Sequence, residues 1–244
     1  SKGHNLGMSS KSRVHTVEAS WVAAVCRRFN VEKETLFLIA AQMGITLRML
    51  GGTDDEKAAY RWKPVADEDL PFSVVAFWHF ELQCVRYIVM YGHCFGLTSA
   101  VLNYNRQPEL LTLALKCLLF VPTTHFYDDQ LYVEPSTGDN AAQASYLELA
   151  RLCGVQLDLE DKHQPMASKF VFIGCEFNLE NVFSKDSLVF APKEGRLESV
   201  FSMICKARET NSLTPGAAST LRGKNGFLTS QLAGRILRHA DRPL

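Results

Sequence analysis

Two adjacent carboxylates, Asp128-Asp129, stand in the middle of Thr124-His125-Phe126-Tyr127-Asp128-Asp129-Gln130-Leu131-Tyr132-Val133. Carboxylates held side by side repel each other, and a bound cation removes the repulsion. The chemistry they suggest is divalent-metal binding, with an exposed acidic turn as the plainer alternative. Two further acidic groups occur, Asp54-Asp55-Glu56 and Asp158 with Glu160 and Asp161. The cysteines offer no competing metal chemistry. Cys26, Cys84, Cys94, Cys117, Cys153, Cys175 and Cys205 include no C-x-x-C pair, so no zinc site is expected. Most lie within apolar stretches and read as small buried hydrophobes in a reducing compartment.

The elements that must position these acids follow from periodicity. Apolar residues at helical spacing predict helices over 16–30 (Trp21, Val22, Val25, Phe29) and 32–50 (Leu36, Ile39, Ala40, Met43), with Gly51-Gly52 breaking the pattern. Aromatic and β-branched runs at 72–80 and 85–91 predict a hairpin. A helix is expected over 98–118, with Leu110, Leu111, Leu113 and Leu115 inward. A second hairpin over 120–134 then carries Asp128-Asp129 at its tip. A helix over 140–153, strands over 169–178 and 187–190, and helices over 193–209 and 215–238 complete the chain, the last capped by Thr214-Pro215. This order predicts an α+β fold with helices on one face of an antiparallel sheet.

The composition is that of an ordinary globular chain: 244 residues, 47% hydrophobic, 21% charged, net charge zero. No apolar run approaches the ~20 residues that span a bilayer, and the polar start has no secretory leader pattern. The expectation is an intracellular protein, cytoplasmic or nuclear, with no membrane partner. Because the chain opens on Ser1, it is expected to be a segment of a longer polypeptide. From Lys193 onward, nine Lys or Arg face four Asp or Glu, a local surplus suited to phosphates or to a solvated helix face.

Several blocks, taken in order, resemble the reverse transcriptases. Asp55-Glu56-Lys57-Ala58-Ala59-Tyr60-Arg61 has the family's first-block spacing of Asp to aromatic. His93-Cys94-Phe95-Gly96-Leu97-Thr98-Ser99-Ala100 is similar to the second block, although the family's Leu-Pro is replaced by His93-Cys94. Phe126-Tyr127-Asp128-Asp129 fits the third, and Lys169-Phe170-Val171-Phe172-Ile173-Gly174-Cys175 a later one. Leu221-Arg222-Gly223-Lys224-Asn225-Gly226-Phe227-Leu228 is similar to the thumb-to-connection segment of Gypsy- and DIRS-type retroelements.

The resemblance implies a polymerase palm over 51–191, preceded by a helical, partial-fingers segment over 1–50 and followed by thumb-like helices over 192–244. It implies RNA-directed DNA synthesis with two magnesium ions, or manganese in their place, within a retrotransposon polyprotein. Asp55, Asp128 and Asp129 would be the metal ligands, with Asp54 as the other first-block candidate. Tyr60 would be a steric gate against ribose, Arg61 a triphosphate or template contact, and Phe95 and Gly96 the lining of the nucleotide pocket. The partners implied are an RNA or DNA template-primer, dNTPs and the other polyprotein segments. Alternatives are a decayed retroelement relic that only binds nucleic acid or other proteins, and a nucleotidyl cyclase. The latter rests on the likeness of Gly51-Gly52-Thr53-Asp54-Asp55-Glu56 to the Gly-Gly-Asp-Glu-Phe turn of diguanylate cyclases.

Overall fold

A computed structural model describes residues 19–94 and 98–232. Helix α1 (Ala19–Val31) buries Val22 and Cys26, one turn apart. Helix α2 (Lys33–Gln42) stops short of the expected residue 50, because Gly44 takes the left-handed conformation that ends helices (φ 67°). Strand β1 (Met49–Asp55) follows, so Gly51-Gly52 lies inside a strand, where its pairing with the neighbouring strand shifts register.

Strands β2 (Val74–His79) and β3 (Cys84–Val89) form the expected hairpin, in antiparallel register from Val74↔Val89 to His79↔Cys84. Helix α3 (Thr98–Leu118) matches its prediction in extent. Its inward set does not: Leu111 and Leu115 are buried, while Leu110 and Leu113 are exposed. The 3.6-residue period explains this, since Tyr104, Leu111 and Leu115 share one stripe that Leu110 and Leu113 miss. Strands β4 (Thr123–Phe126) and β5 (Asp129–Pro135) form the second hairpin, and helix α4 (Ala141–Leu152) follows.

Strand β6 (Gln164–Ala167) was not foreseen. The strand expected over 169–178 is two strands, β7 (Lys169–Phe172) and β8 (Cys175–Asn178). They are joined by Ile173 and Gly174, both at positive φ (47° and 66°), as a two-residue hairpin turn of type I′ requires. A short helix α5 (Val182–Lys185), strand β9 (Val189–Pro192), and helices α6 (Arg196–Glu209) and α7 (Pro215–Leu232) complete the order. Thr214 caps α7, its Oγ1 accepting the Ala217 amide at 3.3 Å. The predicted residues 233–238 of that helix lie outside the described range.

The fold is α+β, with antiparallel pairing and strand orders β4-β5-β1-β6, β2-β3 and β7-β8-β9. The described residues divide into two compact units, one of Asp54–Gln130 with Ser145–His163, the other of residues 19–53, 131–144 and 164–232.

The first unit is centred on Tyr60, Ala100, Tyr104, Leu111, Leu115 and Tyr146. In the second, Phe170, Phe177 and Phe190 stack at 5.1 and 6.1 Å between centroids. There, β1 is paired with β6 through Gly51↔Ala167 and Thr53↔Gln164. Its glycines are filled from outside: a Cβ on Gly51 would strike the Phe170 ring, and one on Gly52 would lie 2.7 Å from Met166 Sδ. Among the described residues, no helix is long and apolar enough to cross a membrane. Cys26 and Cys175 are buried as expected, with burial pushing the Cys26 thiol up to about 12, but Cys117 and Cys153 are exposed.

Candidate metal centre

Asp55 ends β1, while Asp128 and Asp129 lie where the β4–β5 hairpin turns. Strands β5 and β1 are neighbours in the sheet, so the ends of two sequence-distant segments meet. Carboxylate oxygens of Asp55, Asp128 and Asp129 all lie within 4.8 Å of one another. The backbone fixes this approach. The Glu56 amide donates to the Asp128 carbonyl (3.0 Å), and the Asp55 carbonyl accepts from the Asp158 amide (2.9 Å). The hairpin tip itself requires positive φ at Tyr127 (56°), whose ring packs edge-on to Phe126 at 4.8 Å.

Crowded carboxylates in a half-buried site resist ionisation. Burial raises Asp129 to about 7, helped by the charges of Asp128 and Asp55. Burial also raises Asp128, opposed by a backbone hydrogen bond and by Lys162. The donor set is all oxygen and anionic, which fits a hard divalent cation. These three carboxylates could therefore hold a metal ion.

Strand alternation sends the side chains of Asp54 and Asp55 to opposite faces of β1. Asp55 turns toward the hairpin acids. Asp54, 1% exposed, turns to His163, with 2.6 Å between Oδ1 and Nδ1. Asp55 Oδ1 in turn accepts from Lys162 Nζ at 2.8 Å. Sequence reasoning passed over Lys162 and His163. Their signal was two consecutive basic side chains in a loop otherwise rich in acids. The third acidic group is not part of the centre; Asp158 instead accepts the Asp161 amide (3.3 Å) within its own turn.

Tyr60 lies on a 3-10 turn, Ala59–Trp62, entered through Ala58 and Ala59 at positive φ (56° and 27°). It is buried. Its hydroxyl is raised to about 12, first by burial and then by the negative charge of Asp128 nearby. Its ring lies 4.6 Å from that of Tyr104. Beside it is a partly buried polar cluster that the sequence reading did not anticipate. Glu56 is 3.9 Å from Lys63 Nζ and accepts from Gln107 Nε2 at 3.3 Å, and Lys63 stands 5.4 Å from the Tyr104 ring centroid. Burial raises the Glu56 carboxyl and lowers the Lys63 ammonium, each shift opposed by the partner's charge. Arg61 is exposed, while its carbonyl packs on Gly92, where a Cβ would collide. Phe95 and Gly96 lie outside the described residues.

A second buried network holds the hairpin to α3. Gln130 Nε2 donates to Thr123 Oγ1 (2.6 Å) and to Thr112 Oγ1 (3.2 Å), and Thr112 Oγ1 meets His125 Nδ1 at 2.9 Å. The network ties both strands of the hairpin to one helix.

No family model matches the chain, and no curated protein matches its sequence. Solved structures do match. One is a foamy viral protease-reverse transcriptase in complex with dsDNA: TM-score 0.45, 11% identity, covering 73% of this chain and 32% of that one. A dRH form of the same protein with dsDNA gives 0.45 and 11%, covering 75% and 28%. Telomerase from Candida albicans, in complex with a TWJ fragment of telomeric RNA, gives 0.40 and 12%, covering 93% and 43%. The chain spans less than half the length of each of these structures.

Proposed function

We propose that this chain is the palm, with thumb-like helices, of a polymerase of the reverse-transcriptase type. It would extend a DNA primer on an RNA template by two-metal nucleotidyl transfer, as part of a retrotransposon polyprotein. The observation that carries the reading is the meeting of Asp55 with Asp128 and Asp129 from two separate sequence blocks. Each block resembles the reverse-transcriptase block expected to supply that ligand. A cyclase reading built on Gly51–Glu56 gives Asp128 and Asp129 no such part.

Asp55, Asp128 and Asp129 would hold magnesium, or manganese, through carboxylate oxygens. When bound, such ions would supply the Lewis acidity that activates a primer 3′-hydroxyl and stabilises the leaving oxygen. Tyr60, buried and close to Asp128, would set its ring against the sugar edge of the incoming dNTP and exclude a 2′-hydroxyl. Arg61, exposed on the same turn, would meet triphosphate or template, and Phe95 and Gly96 would line the pocket. The palm would span 51–191. The helices after residue 192 would follow the duplex through phosphate contacts; Lys193, Arg196 and Lys224 line a cleft of ≈ 460 Å³ there.

The test is primer extension on poly(rA)/oligo(dT) with dTTP and magnesium, beside the Asp128→Asn variant. Extension by the parent and its loss in the variant, which keeps the hairpin's shape, is the expected result. A folded parent that binds template-primer and extends nothing would replace this reading with that of a decayed, nucleic-acid-binding relic.

A further inference from the structure

We propose that Tyr104, braced by Glu56 and Lys63, is a specificity-positioning residue: it fixes the ring of Tyr60 and so sets how strictly the protein refuses ribonucleotides. The inference rests on the polymerase reading and on Tyr60 as its gate. The turn that carries Tyr60 cannot hold the ring by itself. It is short, and Ala58 and Ala59 adopt positive φ, a conformation that persists only where surrounding packing enforces it.

Tyr104 supplies that packing. It is wholly buried, its ring tilted 35° to that of Tyr60, with the small side chains of Ala59 and Ala100 leaving room for two large rings. Tyr104 is in turn located by charge. Lys63 stands over its ring and is paired with Glu56, which Gln107 also engages. The chain of contacts runs Gln107, Glu56, Lys63, Tyr104, Tyr60. Its anchor is the residue whose amide ties β1 to Asp128. The gate and the acidic centre therefore share one support, and a gate held this way keeps its distance from the metal site.

A gate that must block a single hydroxyl needs a fixed ring, because a misplacement of about 1 Å in an active site is enough to change a rate by about 10²-fold. The experiment measures kcat/KM for single insertion of dTTP and of UTP by the parent, Tyr104→Ala, Tyr104→Leu, Tyr104→Phe, Tyr60→Ala and the Tyr60→Ala/Tyr104→Ala double variant. Relative UTP use should rise about tenfold in Tyr104→Ala and less in Tyr104→Leu, which fills the space without a planar ring. Tyr104→Phe, which keeps the ring, should restore discrimination. The double variant should discriminate no worse than Tyr60→Ala, since the brace acts only through the gate.

Unchanged discrimination in a folded, active Tyr104→Leu would overturn the inference while leaving the polymerase reading intact. Additive losses in the double variant would overturn it too. A parent that inserts neither nucleotide would bring down the polymerase reading, and the inference with it.

Discussion

Lys162 Nζ lies 2.8 Å from Asp55 Oδ1 and so brings a positive charge to the edge of a cluster of three carboxylates. In the metal-free protein this ammonium takes up part of the role a cation would have. It would compete with an ion bound there for Asp55. In Lys162→Met, the metal-free protein should melt about 2 °C lower, and magnesium should raise its Tm by more than it raises the parent's. Thermal melts with and without magnesium decide the matter. Equal magnesium shifts in the two proteins would show that Lys162 and the ion do not share a ligand.

Asp129 links the same cluster to pH. Its carboxyl is raised to about 7 by burial and by Asp128 and Asp55, above the ~4 of an unfolded carboxylate. The fold therefore prefers the neutral form. The penalty is absent below about pH 4, grows as the pH rises, and is complete above about 7. Relative to Asp129→Asn, which carries no charge there, the metal-free parent should lose stability over that interval, with the gap constant beyond it. Denaturant titrations at several pH values measure the gap. A gap that is flat from pH 4 to 8 would contradict the assignment. Saturating magnesium should close the gap from the parent's side.

Thr112 joins His125 and Gln130 in the buried network behind the hairpin. Thr112→Val keeps the shape of the side chain and removes its hydroxyl, leaving polar atoms of two buried partners unsatisfied. The expected loss is about 1–3 kcal/mol, read as a lower urea midpoint at unchanged slope. A neutral result would mean that water replaces the hydroxyl.

Gly51 gives the opposite kind of test, in which adding an atom does harm. A Cβ there enters the space of the Phe170 ring. Gly51→Ala should therefore destabilise the protein by about 1–3 kcal/mol through overpacking, although alanine is no worse in a strand than glycine. Calorimetry on the variant and on Gly51→Ala/Phe170→Leu separates the causes. The second change should recover part of the loss.

Gly51 also shows where the sequence was legible and where it was not. Asp55 is singled out only by the resemblance of its block, whereas the longer helices, the β2–β3 and β4–β5 hairpins and the Asp128-Asp129 pair follow from short-range pattern: 3.6-residue stripes, paired β-branched runs, and Asp-Asp at a turn. The place of Gly51-Gly52 does not, because a glycine pair signals a break unless a distant ring fills the gap, and Phe170 lies 119 positions further on. Lys162 and His163 escaped notice for the same reason. Their partners are Asp55 and Asp54, reached only once the loop before β6 has been brought back to the end of β1. Asp54 and Asp55 could not be told apart until β1 was seen to be a strand, which assigns their side chains to opposite faces.

The β2–β3 hairpin leaves Phe77, Trp78, Val85, Tyr87 and Ile88 in solvent, and among the described residues neither of its edges meets another strand. Strand β2 carries no Lys, Arg, Asp or Glu, and β3 only Arg86, so little guards these edges against strand addition between molecules. Such self-association grows with the square of concentration, whereas the proposed turnover would grow with its first power. Specific activity should therefore fall as the protein is concentrated. Dilution and cold, which weakens apolar association, become the conditions under which its chemistry is measured cleanly.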